Sequence, residues 1–107
     1  MTTCYPPNQP SWRVIAVRVA TAGQPVQGPN RPIPDGFTLS VRMRRHSSVR
    51  TGYIAPARVD LQESLARAEF RDNDSIELQI TNMNLCWFDA STGTNTDFEL
   101  VAEQAFS

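Results

Sequence analysis

The chain has 107 residues, enough for one domain around one core, and its 40% apolar and 20% charged content marks a globular protein. A formal net charge of -1 argues against DNA binding by phosphate neutralisation, and no apolar run approaches the roughly 20 residues that span a bilayer. All ten basic residues are arginine, a side chain suited to planar, bidentate contacts, although codon bias in a GC-rich genome accounts for this equally well.

Residues 1–11 hold Pro6, Pro7 and Pro10 and show no periodicity, so they read as an extended arm that either stays disordered or lies over a partner. MTTCYPPNQPSWR has neither a basic stretch nor an apolar one behind it and is not expected to be a signal peptide. A domain is expected over 12–107. From Trp12 the pattern has period two: Ile15, Val17 and Val19 share one face, and Val14, Ala16 and Arg18 the other. The Gly/Pro-dense segment 21–36 leaves room for a short extended piece at Val26. FTLSVRM then alternates clearly, with Phe37, Leu39, Val41 and Met43 inward and Thr38, Ser40 and Arg42 outward. Gly52–Ala55 suits another short strand.

In DLQESLARAEF, Asp60 and Glu63 resemble a capping box and Leu61 and Leu65 stand four apart, which predicts one or two helical turns. Asp72–Ser75 reads as a turn. It feeds Ile76, Leu78 and Ile80 on one face; LCWFDA and TDFELVAE follow as strands, the latter with Phe98, Leu100 and Ala102 on one side. Six to eight short strands joined by Gly/Pro/Asn turns predict an all-β fold. It is expected to be an antiparallel β-sandwich or a jelly-roll-like small barrel with one short helix.

Charge is uneven along the chain. Residues 1–58 carry eight arginines against one acid, Asp35, whereas residues 59–107 carry two arginines against ten acids. Such asymmetry suits head-to-tail subunit contact, or it is neutralised where a sheet interleaves distant segments. The densest stretch is RMRRHSSVR, residues 42–50, with four arginines and the only histidine. Alternation alone puts Arg42 and Arg44 on the wet face of a strand. A protein contact through Arg42, Arg44, Arg45 and Arg50 is the sharper reading. Nucleic-acid binding is weakest, because no stacking aromatics interleave with the arginines.

His46 beside Ser47 and Ser48 is no nucleophile–base pair, since neighbours on an extended chain point apart and no GxSxG elbow accompanies them. One histidine and two cysteines, Cys4 and Cys86, do not make a zinc set, and the acids of 72–75 lack the glycine and terminal glutamate of a calcium loop. No phosphate-binding glycine motif occurs. No metal, no cofactor and no catalytic residue is therefore expected. The cysteines are expected to be free thiols, Cys86 as a small buried apolar group and Cys4 in the arm. Trp87 and Phe88 cannot both face one core, and Trp12 beside the arm is a candidate subunit contact.

Ile33-Pro34-Asp35-Gly36 feeding an alternating strand is followed by Gly52-Tyr53-Ile54, by the run Asp74–Asn84 (DSIELQITNMN) and by the tryptophan strand Leu85–Asp89. In these features the chain resembles a family of small tailed-bacteriophage virion proteins over about residues 12–103. The resemblance implies a β-sandwich, non-enzymatic capsid decoration (cement) protein. Its partners would be the major capsid protein or another virion protein, as part of a homo-oligomer, a trimer first, located in the virion with no nucleic acid and no membrane bound. Residues 42–50 depart from the neutral Asn/Gly turn usual there, and 60–69 are an insert. A tail, collar or baseplate component and a carbohydrate or host-receptor binding module are the competing readings. The candidate interface residues are Tyr5, Pro6, Pro7, Trp12, Arg42, Arg44, Arg45 and Arg50.

Overall fold

Alternating side chains give this chain strands that each bury one face, and two sheets meet over those faces. The computed structural model describes residues 14–46 and 48–104. Its strands are β1 (Ile15–Thr21), β2 (Val26–Gln27), β3 (Phe37–Met43), β4 (Gly52–Ala55), β5 (Ala68–Phe70), β6 (Ser75–Leu78), β7 (Trp87–Ala90) and β8 (Thr94–Gln104). They form two four-stranded sheets, ordered β1-β8-β3-β6 and β2-β7-β4-β5, with every neighbouring pair antiparallel. The expected β-sandwich is the observed architecture.

The interior follows the predicted parity. Val17 and Val19, then Leu39, Val41 and Met43, then Phe98, Leu100 and Ala102 are buried from the first sheet, and Ile54, Phe70 and Phe88 meet them from the second. Phe98 lies between the sheets' aromatics, edge-on to Phe70 at 5.9 Å between centroids and tilted against Phe88 at 5.0 Å. Each such pair contributes about 0.5–1.5 kcal/mol beyond its buried area. Gly52 has no room for a side chain, because a Cβ there would meet the Met43 sulfur and come within 2.9 Å of the Phe98 ring. Of the adjacent aromatics on β7, Phe88 is wholly buried and Trp87 half-buried, as alternation requires.

The helical expectation over 60–69 is met only by a 3-10 turn at Arg58–Gln62. It starts from Ala57 without a side-chain cap, so Asp60 falls inside the turn rather than at the head of a capping box. Leu61 is buried, but Leu65 is fully exposed. A leucine pair four apart is too little apolar face to hold a helix, and Ala68–Phe70 is taken instead by pairing with β4, Ile54 against Ala68 and Gly52 against Phe70. The segment Asp72–Ser75 turns as expected, with Asn73 at φ 66° and the Asp74 carboxylate accepting from the Arg71 N–H at 2.8 Å.

Candidate interaction face, brace and cleft

The outer face of the first sheet brings three arginines of the basic half of the chain onto two acids of the acidic half. β8 lies between β1 and β3, with Asp97 opposite Arg18 and Glu99 opposite Arg42. Arg18 grips Asp97 through two bonds, Nε to Oδ1 at 2.8 Å and Nη2 to Oδ2 at 3.1 Å. Glu99 is held from two sides: Arg42 donates to Oε1, and Arg44 Nε donates to Oε2 at 2.7 Å. The bond from Arg18, supported by its charge, holds the Asp97 carboxyl below the usual carboxylate range. Arg44 first and then Arg42 do the same for Glu99. The arginine side chains remain about half exposed, so solvent screens each pair, and the ladder's main effect is to fix the register of β1 and β3 on β8.

β8 outruns β3, and the segment 44–50 takes the place of a strand beside its first residues. The Arg44 N–H donates to the Asp97 carbonyl at 2.9 Å. The Asp97 N–H in turn donates to His46 Nε2 at 3.2 Å. A ring nitrogen that accepts carries no proton, so the histidine proton sits on Nδ1, which is buried and has no partner among the described residues. Arg50 completes the brace. Its guanidinium donates to the Thr94 carbonyl (2.6 Å), Thr96 Oγ1 (3.1 Å) and Ser48 Oγ (2.5 Å). Gly93, at φ +87°, makes room: a Cβ there would lie 2.9 Å from Arg50 Cζ.

Of the predicted interface residues, Arg42, Arg44 and Arg45 are exposed, the first two in the ladder and Arg45 at the start of the loop. Arg50 is 8% exposed and its guanidinium is spent on internal bonds, so it offers a neighbouring molecule little. Tyr5, Pro6, Pro7 and Trp12, with the 1–11 arm and Cys4, lie outside the described residues. Asp97 and Glu99 are functional partners that reading the arginine stretch by itself overlooks. Their signal was present, because they take the outward parity of the strand whose inward residues are Phe98 and Leu100.

The opposite side of the sandwich differs in kind. Between β5 and β6 the sheets part around a cleft of about 290 Å³ lined by Ile54, Ala68, Ile76, Leu78, Ile80 and Cys86. Leu85, also in its lining, is 47% exposed. Burial pushes the Cys86 thiol up to about 11, which leaves it almost wholly protonated near neutral pH and a poor nucleophile. On β4 nearby, Tyr53 is covered by the Arg67 guanidinium, 3.8 Å from its ring centre. No group of three or more metal-capable side chains occurs among the described residues, and no helix among them is long and apolar enough to cross a membrane. Compared with known proteins, the chain matches no family model, no curated protein and no solved structure.

Proposed function

We propose that this protein is a non-enzymatic structural part of a tailed-phage virion, a capsid decoration (cement) protein that binds and stabilises the shell of major capsid protein as a homo-oligomer. The observation that carries the reading is where the resembling segments fall. Ile33–Gly36 forms the turn into β3, Gly52–Ile54 starts β4, Asp74–Asn84 supplies β6 and the turn after it, and Leu85–Asp89 leads through β7. Each contributes to the strands and turns of the sandwich, and three of them also supply the apolar lining of the cleft between β5 and β6. This is what a repeated module needs: a rigid body whose weak contacts are multiplied by the symmetry of a shell.

Arg42, Arg44 and Arg45 are the contact residues this reading assigns on the described surface. The guanidinium groups of Arg42 and Arg44 are half exposed and are held in place by Glu99. A glycan-binding module asks for aromatics exposed together on one sheet face; Trp87 is half-buried and Tyr53 is capped by Arg67, which leaves that reading the weaker. Quantitative mass spectrometry of purified particles tests the proposal. A copy number on the order of hundreds per particle fits the capsid, and about a dozen or fewer fits a tail, collar or baseplate position. Absence from the particles overturns both.

A further inference from the structure

The outer face of the first sheet changes sign along its strands. The register sets Ile15, Leu100, Val41 and Ile76 level with one another, all on the core side. One residue above that level Ala16, Glu99, Arg42 and Ser75 point outward, and two residues further come Arg18, Asp97 and Arg44. This end carries three arginines on two acids, and the exposed Arg45 follows. One residue below the level Val101, Ser40 and Glu77 point outward, and two residues further Glu103 lies beside Thr38. These lower rows hold acids and no arginine. None of the outward residues at either end is buried.

We propose that this face binds the same face of a second copy of this chain, about a twofold axis that crosses the strands at the level of Ile15 and Ile76. The inference rests on the reading of the protein as a self-associating shell component and names the surface through which its copies pair. It gives a dimer where the resemblance implies a trimer first.

Charge selects the occupant. A twofold axis in that position reverses strand direction and keeps strand order, so β3 lies on β3 and each row above the axis meets its counterpart below. Arg42 comes onto the row of Ser40 and Glu77 in the second copy, and Arg44 onto the row of Thr38 and Glu103. Symmetry makes each contact twice. A face with one sign at both ends would repel its own copy, whereas a face with arginines at one end and glutamates at the other is self-complementary. The arginines have donors to spare: a single carboxylate, Glu99, serves both Arg42 and Arg44, whose side chains stay 50% and 44% exposed.

Shape and area agree. Beside the axis the side chains are mostly short, Ala16, Ser40, Ser75 and Val101, which suits two sheets packed ~10 Å apart. Val14, one residue before Ile15 and 55% exposed, comes onto Ala16 of the second copy and gains apolar cover. Four strands at ~4.8 Å spacing and rows spread over ~20 Å give a face of about 500 Å² on each copy. The pair then buries about 1,000 Å², the low end for a specific contact, so the dimer is weak in solution and gains from repetition in a shell.

Sedimentation equilibrium of the full chain over a concentration series reads the pairing, and amide shifts across the same series map it. The expected result is a monomer–dimer equilibrium with a Kd on the order of 100 µM at low salt, with shifts concentrated at Ala16, Ser40, Glu77 and Val101. Glu77→Arg with Glu103→Arg, both at exposed positions, should weaken pairing about tenfold or more, and about 0.5 M salt should weaken the unaltered chain in the same sense. Where the reversed chain does not fold, the amide map of the unaltered chain decides alone. A chain that stays monomeric to about 1 mM, a trimer, pairing that the double reversal leaves unchanged, or shifts confined to the second sheet or the cleft overturns the proposal. A monomer in solution with the protein abundant in particles removes only this contact. Absence from particles removes the shell reading and leaves a measured dimer standing.

Discussion

The outer face of the first sheet and the cleft between β5 and β6 solve opposite problems. The face is crowded with charge, yet Arg18, Arg42 and Arg44 find Asp97 and Glu99 on the strand between them. The cleft side is nearly free of charge in its lining, and among the described residues nothing fills it. A sheet closes ion pairs within itself because β8 touches both neighbours. It cannot cover the gap at its last strand without a further segment. The charged face is thus partly neutralised within one sheet, whereas the apolar lining between β5 and β6 has no such internal partner among the described residues.

The largest effect comes from emptying the core between the sheets. Phe98→Ala empties the space between Phe70 and Phe88 and should destabilise by about 3–5 kcal/mol, read as a fall in the denaturant midpoint. Next comes the brace. Arg50→Leu strips the buried Thr96 hydroxyl and the part-buried Thr94 carbonyl of their donor and should cost about 1–3 kcal/mol, with faster amide exchange at Thr94–Asp97 as the local signature. A cost as small as that of an exposed arginine would show that Arg50 is not internal.

Smaller again is the ladder. Asp97 and Glu99 are held below the normal carboxylate range, so their contribution is complete above it and is lost as pH falls through their lowered folded values. Melting temperature should fall as pH drops below about 4, and Asp97→Asn with Glu99→Gln should flatten that slope while costing under ~1 kcal/mol at neutral pH. The smallest effect on folding belongs to the open side. Leu65→Ser should leave stability within ~0.5 kcal/mol, since the side chain touches water in the isolated domain. A clear loss of stability would mean that Leu65 already packs against the sandwich.

The sequence by itself determined the strands and their inward faces, because period-two alternation is a property of local chain geometry. Val17 and Val19, Leu39 through Met43, and Phe98 through Ala102 are all buried as their parity demands. It also determined the turn at Asp72–Ser75, whose chemistry is local. Tertiary structure alone decided the rest. Whether 60–69 stays helical depends on β4 offering an edge to Ala68–Phe70. Whether Arg18, Arg42 and Arg44 face water or an acid depends on β8 settling between β1 and β3, a neighbour relation among residues more than fifty positions apart. That Arg50 turns inward while Arg45 stays exposed, and that an apolar cleft opens beside β6, follow from strand order, which no local pattern encodes.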